Sequence, residues 1–408
     1  MTQSRHDLNT HGVGVRTPDV LVLGAGAAGL MAAFTAAQRG KRVTVLDHSP
    51  EIGRKILISG GGRCNFTNLE IKPERFISQN KHFVRSALSR YKPADFLSLL
   101  TKHRIAWHEK KLGQLFCDNS ARDIVDMLLA ECAAAGVTVL PGTRITRIGR
   151  AETFRVETSA STFVSPNVVL ATGGLSIPKI GATGFAYDVA RQFGVPVVMP
   201  APALVPLVFD RDEDAWVRTL AGVSLPVKAT CGKVSFEEAL LFTHRGLSGP
   251  ALLQISSYWQ AGQPIQLDLL PGQNCEALLS GLKAARGKMR GPAALSRWLP
   301  QRLAHELAQR HAPDRPVVEW SDKTIRALAQ AIHKLEVYPT GTEGYYKAEV
   351  TRGGIDTRAL SSKTMQVEAV PGLYVVGEAM DVTGWLGGYN FHWAWASGYA
   401  AGVALAET

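Results

Sequence analysis

The apolar run Asp19-Val-Leu-Val-Leu23 stops abruptly at Gly24-Ala-Gly-Ala-Ala-Gly29, and no other stretch restricts the fold as much. Four apolar residues bounded by glycine read as a buried strand, and the small residues from about Ala27 to Arg39 read as a helix ended by Gly40. A second, β-branched run, Arg42-Val-Thr-Val-Leu46, ends at Asp47, which completes a βαβ unit. Gly24, Gly26 and Gly29 form G-x-G-x-x-G. The first glycine permits a tight turn, the second lets backbone approach a pyrophosphate closely, and the third lets helix pack on strand. Ala27 and Ala28 open the helix, whose N-terminus presents partial positive charge to phosphates. Asp47 follows Gly29 by eighteen residues, where an acid can bind a ribose hydroxyl. Strand, motif, helix, strand and acid in that order predict a dinucleotide site on an α/β fold.

Two later segments resemble features that two-dinucleotide-type flavoproteins place against FAD. Asn167-Val-Val-Leu170 runs into Ala171-Thr-Gly-Gly174, which nominates Thr172 and Gly173. Gly372 to Asp381 contains Val-Val-Gly377-Glu378, and in that resemblance Glu378 lies near the ribityl chain. Gly388, Tyr389 and Asn390 open a last helix whose positive end can stabilise an anionic reduced flavin. No second strand–GxGxxG–helix unit occurs; Gly181-Ala-Thr-Gly184 follows a loop and reads as the start of a helix. The expected cofactor is non-covalent FAD, with NAD(P)H as a transient electron donor rather than the occupant of a stable domain of its own.

The chain has 408 residues, enough for two or three domains. The character changes near Met199, where proline-spaced apolar runs suggest a β-rich insert, and the glycine-rich strand style returns near Tyr345. The expected plan is a flexible tail over 1–17 and an FAD-binding domain over 18–198 and 345–408. An insert over 199–344 interrupts that domain, with a β-barrel at about 199–272 and basic helices at about 273–336. Lysine and arginine number 45 against 35 acids, a net charge of +10. Between 281 and 311, Lys283, Arg286, Lys288, Arg290, Arg297, Arg302 and Arg310 meet only Glu306. A second basic zone, Lys102, Arg104, Lys110 and Lys111, is opposed by Glu109. Such segments attract polyanions, so the insert is the expected contact for RNA. The first seventeen residues are polar and lack a secretory apolar stretch, and no run is long enough to span a membrane. Five cysteines without Cys-x-x-Cys spacing argue against a disulfide framework, a zinc site or a dithiol pair. A cytoplasmic protein without metal is expected; oligomeric state is not legible.

Residues 53–68, Gly-Arg-Lys-Ile-Leu-Ile-Ser-Gly-Gly-Gly-Arg-Cys-Asn-Phe-Thr-Asn, closely resemble the G-R-K-x-L-x-S-G-G-G-R-C-N-x-T-N signature of the BaiN/RdsA (YhiN-like) flavoprotein family. Further matches are Phe242 to Pro250, Val350 to Gly354, Thr364-Met365 and Gly372 to Gly402, so the resemblance spans about 20–405. It implies a discontinuous Rossmann-like, two-dinucleotide-type FAD domain carrying a β-barrel and helical insert. It adds Arg54, Lys55, Gly61, Gly62 and Arg63 to the cofactor-binding candidates. Activities implied are saturation of a uracil in large-subunit ribosomal RNA, reduction of C=C bonds in steroid-type acids, and oxidation of aminoacetone. Cys117 stands where relatives carry proline, and His392 where glutamine is usual.

The leading expectation is therefore reduction of a uracil C=C bond by reduced FAD. An FAD oxidase or reductase of a small metabolite and a non-catalytic flavin-bearing ribosome-binding factor are the alternatives. Uracil reduction takes hydride at C6 and a proton at C5, so a positioned acid is needed. Cys64 is the leading acid, because a thiol of ordinary pKa, about 8.5, is mostly protonated at neutral pH. Asn65 is placed to hydrogen-bond flavin or uracil edges, and His392 and His244 are the alternative acids.

Overall fold

The computed structural model describes residues 14–408, which form two compact units. One comprises 14–174, 180–200 and 353–408; the other comprises 175–179 and 201–352. The chain thus returns to the first unit after Arg352, eight residues beyond the boundary expected near 344. Most of the expected tail, residues 1–13, lies outside the described residues. Val15–Arg16 is a strand paired in parallel with 162–163, so the end of that tail is ordered.

A five-stranded, all-parallel sheet forms the core of the first unit. Val20–Leu23 is central, with Val43–Leu46 and then Thr138–Leu140 on one side. Asn167–Leu170 and then Leu373–Val375 lie on the other. All four residues of the first, second and fourth strands in chain order are buried, as expected of parallel strands covered on both faces. The helix Ala27–Ala37 covers the sheet and buries ten of its eleven residues. Leu30, Met31 and Phe34 each contribute about 1.5–3 kcal/mol by leaving water. The last helix, Tyr389–Ala406, packs on it so closely that a Cβ at Gly398 would sit 2.5 Å from the Ala28 carbonyl oxygen. That proximity excludes any larger residue there.

The end of the glycine-rich signature, Asn65–Asn68, forms a small three-stranded antiparallel sheet with Gln114–Cys117 and then Trp107–Glu109. The helix Ala121–Ala134 comes next in the chain and is capped by the Ser120 hydroxyl, which accepts from Arg122 N–H at 3.1 Å.

The second unit is built on a seven-stranded antiparallel sheet. Its edges are Leu335–Val337 and Gly341–Thr342, which only residues 338–340 separate in the chain. Four residue steps span at most about 14 Å, so the sheet must roll until its edges nearly meet. The last two strands of this sheet follow the helices in the chain. Cys275–Ala284, Gly291–Leu295, Gln301–His311 and Asp322–His333 are therefore an excursion within the sheet, not a region after it.

Candidate functional site

In the parallel sheet the strand order reverses between Val20–Leu23 and Asn167–Leu170: later strands add on one side of the first, then on the other. Ligands of open α/β sheets bind at the carboxyl ends of the strands at such a switch point. The carboxyl ends here are Gly24–Gly29 and Ala171–Gly173. A Cβ at Gly24 would lie 2.5 Å from the Ala171 carbonyl oxygen, and one at Gly29 would lie 2.0 Å from the Gly24 oxygen. These two glycines are required by the protein's own packing. At Gly26, the helix N-cap, a Cβ would meet nothing within 4 Å. Open space at this one glycine, beside first-turn N–H groups that a helix leaves without intrahelical partners, suits a pyrophosphate. Thr172 supplies a second observation: its hydroxyl oxygen is buried and has no hydrogen-bond partner. Gly173 beside it, at φ 72°, also faces open space.

Asp47 steadies this cradle. One carboxylate oxygen accepts from Ala25 N–H at 2.7 Å and the other from Ser49 N–H at 2.8 Å. The turn is thereby held in shape by the residue expected to meet a ribose. Gly377 crosses the same helix end, where a Cβ would sit 2.8 Å from the Ala28 methyl group. Its N–H donates to Ser397 Oγ at 3.0 Å, and Trp393 Nε1 donates to its carbonyl at 3.2 Å. Next to it Glu378 accepts from Lys55 Nζ at 2.5 Å, a pair the sequence could not announce across 323 positions. Arg54 lies one residue before Lys55, on the short helix Arg54–Ile58.

The Ser59–Gly61 turn continues into Gly62, and backbone N–H groups of Gly62 and Cys64 both donate to the Ser59 carbonyl. Gly61 and Gly62 face open space, and Arg63 beside them is exposed. Asn65 joins this segment to the last helix. Its amide nitrogen donates to the Leu115 and Thr67 carbonyls, and its oxygen accepts from Gly388 N–H at 3.2 Å. A Cβ at Gly388 would fall 2.2 Å from the Thr67 carbonyl oxygen, so only glycine permits this junction. The structure thus brings Asn65 and Gly388 together.

Several candidate side chains are placed differently from expectation. Cys64 is fully buried, and burial pushes its thiol well above the ordinary range, with the Ser59 side chain opposing that in part. His392 is also sealed. Its Nε2 donates to the Tyr91 carbonyl at 3.1 Å, and since a carbonyl can only accept, Nδ1 must accept from the Thr67 hydroxyl at 2.8 Å. Burial lowers its pKa to about 4, which keeps it neutral. Neither group reaches a surface from which a proton could pass directly to a substrate. Tyr389 donates to the Glu70 carbonyl and accepts from Arg75, and Asn390 clamps Gly384 through 2.8 and 2.9 Å bonds. Asn390 thus holds the segment before the helix and Tyr389 ties the helix to residues 70–75, so both side chains are engaged within the protein. His244 lies on a turn of the second unit.

The basic insert is also narrower than its composition suggests. Lys283 pairs with Asp322, Arg290 with Asp314, and Arg310 with Glu306 while covering the Trp216 ring at 5.0 Å. Arg302 donates to the Thr219 and Ala221 carbonyls. Arg297 lies over Trp298, which leaves exposed Arg286 and Lys288 with no acid partner among the described residues. Among the described residues no helix is long and apolar enough to cross a membrane, and no cluster of metal-ligating side chains occurs.

A parallel sheet with a glycine cradle at its switch point places the chain among the Rossmann-type FAD-dependent oxidoreductases. It belongs to the HI0933-like protein Rossmann domain family, whose match covers residues 18–404. It is 48% identical over 395 residues to the ribosomal RNA dihydrouridine synthase of Haemophilus influenzae, covering 95% of this chain and 98% of that protein. It is likewise 48% identical over 391 residues to the Escherichia coli protein of the same name, with the same coverage. The fold is also that of the 3-ketosteroid-delta4-(5alpha)-dehydrogenase of Rhodococcus jostii, at TM-score 0.51 and 15% identity over 98% of this chain and 99% of that one.

Proposed function

We propose that the chain is a ribosomal RNA dihydrouridine synthase. The observation that carries this reading is the 48% identity to two such synthases across 95% of the chain. FAD would be held by the Gly24–Gly29 turn and Asp47, by Thr172 and Gly173, and by the Lys55–Glu378 pair. The first-turn amides after Gly388 and the Gly61–Arg63 loop would complete the set. When bound and reduced, FAD would supply a hydride, and NAD(P)H would be its reductant. The target C5=C6 bond gains that hydride and one proton and becomes a single bond. The chain's own part is to align the ring, exclude bulk water and admit the proton. Because Cys64 and His392 are sealed, neither hands over that proton directly. Arg286 and Lys288 of the insert contribute phosphate contacts.

The test is nucleoside mass spectrometry of ribosomal RNA from cells with and without this gene. Dihydrouridine present only with the gene is the expected result. An unchanged dihydrouridine content overturns the reading and moves the search to small C=C substrates.

A further inference from the structure

The outer edge of the three-stranded sheet combines aromatic and basic groups at a short distance from the glycine loop. Among the described residues Trp107–Glu109 pairs on one side only, with Gln114–Cys117, so no strand lies on its other edge. Trp107 is 38% exposed there, and near it in the chain Lys110 and Lys111 are exposed and Arg104 is exposed too. The acids between 102 and 118 are Glu109 and Asp118, and both are engaged. Glu109 accepts from Gly113 N–H at 3.2 Å, and Asp118 meets His108 Nδ1 at 2.7 Å. Lys102 is held by Glu131, whereas Arg104 pairs with no acid among the described residues. Arg104, Lys110 and Lys111 thus stand against the two carboxylates of Glu109 and Asp118, so cations are in slight excess at this rim.

Strand register connects the rim to the candidate site. Trp107 lies opposite Cys117, whose N–H donates to the Arg63 carbonyl at 2.9 Å. His108 lies opposite Phe116, which lies opposite Asn65. Two strand spacings, about 10 Å, therefore separate Trp107 from the backbone of the glycine loop. That is two or three nucleotides at the ~3.4 Å rise of a stacked strand. On the opposite face His108 lies nearly parallel to Phe116, 6.1 Å between centroids, and Lys110 Nζ stands 5.3 Å from the same ring. Phe116 in turn supports the loop: a Cβ at Gly60 would sit 2.9 Å from its ring.

We propose that this rim docks the single-stranded RNA flanking the target uridine, with Trp107 stacking on a base and Arg104 and Lys110 holding phosphates. The inference rests on the ribosomal RNA reading above. An exposed indole among cations matches a strand whose bases are free to stack and whose backbone is anionic. A duplex would offer phosphates to the cations but no free base to Trp107.

The experiment compares wild type, Trp107→Ala and the double variant Arg104→Glu/Lys110→Glu, all purified with flavin. Affinity for protein-free ribosomal RNA from cells lacking the gene is measured across a salt series, together with dihydrouridine formation. Trp107→Ala should weaken binding about tenfold, the scale of one lost base–aromatic stack. The double variant should flatten the slope of log affinity against log salt by about 1.4, since each single-strand phosphate contact contributes about 0.7. Flavin content and turnover at saturating RNA should stay at the wild-type level. Wild-type affinity and slope in both variants, while wild type makes dihydrouridine, overturn the rim and leave the function standing. Loss of flavin from the double variant also overturns it, because the rim would then serve the cofactor. Rim-dependent binding without dihydrouridine formation by wild type supports the rim and overturns the proposed chemistry.

Discussion

Gly26→Val separates ligand binding from folding at a single position. The backbone there, φ −87° and ψ −171°, is open to any residue, and an added Cβ would meet no atom beyond its chain neighbours within 4 Å. The substitution should therefore cost the folded protein less than about 1 kcal/mol, the scale of ordinary surface changes. The valine methyl groups would occupy the volume assigned to the pyrophosphate. Losing two charge-assisted hydrogen bonds from backbone amides, at about 1.5–3 kcal/mol each, raises the dissociation constant for FAD by at least about 100-fold. Thermal melting with and without added FAD reads this directly. At a concentration about 100 times the wild-type dissociation constant, binding stabilises wild type by about 2.7 kcal/mol, whereas the variant gains about 0.4 kcal/mol. For a unit of this size those figures correspond to a rise of about 5–10 °C against about 1 °C. Gly29→Ala is the contrasting control: its methyl group would stand 2.0 Å from the Gly24 oxygen, so it should lower the melting temperature without any ligand. A Gly26→Val protein that purifies yellow and melts higher with FAD would refute the placement of the phosphates.

His392→Gln should remove an acid sensitivity. The folded pKa near 4 lies below the unfolded value near 6.5, so the unfolded chain binds the extra proton and stability falls as pH drops from about 6.5 to 4. Between pH 7 and 5 the imidazole accounts for about 2 kcal/mol of that loss, and urea unfolding of the variant should show a correspondingly smaller difference between the two pH values. Equal pH slopes in the two proteins would contradict a buried neutral imidazole. Cys64→Ala should keep its flavin spectrum and lose less than about tenfold in turnover, because the sealed thiol cannot hand a proton to substrate directly. A drop beyond about 100-fold with flavin intact would restore Cys64 as the acid. Arg286→Glu/Lys288→Glu should weaken RNA binding and flatten its salt dependence with no change in flavin content; an unaltered salt slope would remove the insert from the RNA interface.

What the sequence made legible was local. The βαβ unit follows from a four-residue apolar run, three glycines and an acid within about thirty positions, and the helix Ala121–Ala134 from its periodicity and cap. Contacts across long separations had no such signature. The Asn65 amide meets Gly388 N–H, and Lys55 meets Glu378, each pair far apart in the chain. The strands Leu335–Val337 and Gly341–Thr342 are too short for period-two alternation to register, and their partners lie at 265–267 and 207–208. Burial of individual groups was equally hidden. A cysteine in a glycine-rich loop looks accessible, yet the fold leaves none of Cys64 in contact with water. Charge was obscured for a similar reason: Asp314 and Asp322, just beyond the basic segment, neutralise two of its cations. The second basic zone at 102–111 was visible, but only strand register revealed that it borders the glycine loop.

The close packing of Tyr389–Ala406 on Ala27–Ala37 also has a consequence for synthesis. The first helix leaves the ribosome with an almost wholly apolar surface, and the helix that covers it is made about 350 residues later. At about 5–20 residues per second, some 20–70 s pass before that partner appears. During this interval the nascent βαβ unit can form its strands but cannot seal the outward side of that helix. Premature termination anywhere in the last part of the message would leave that surface permanently open. A truncated product should therefore be a chaperone client and a target for proteolysis, whatever the state of its glycine turn.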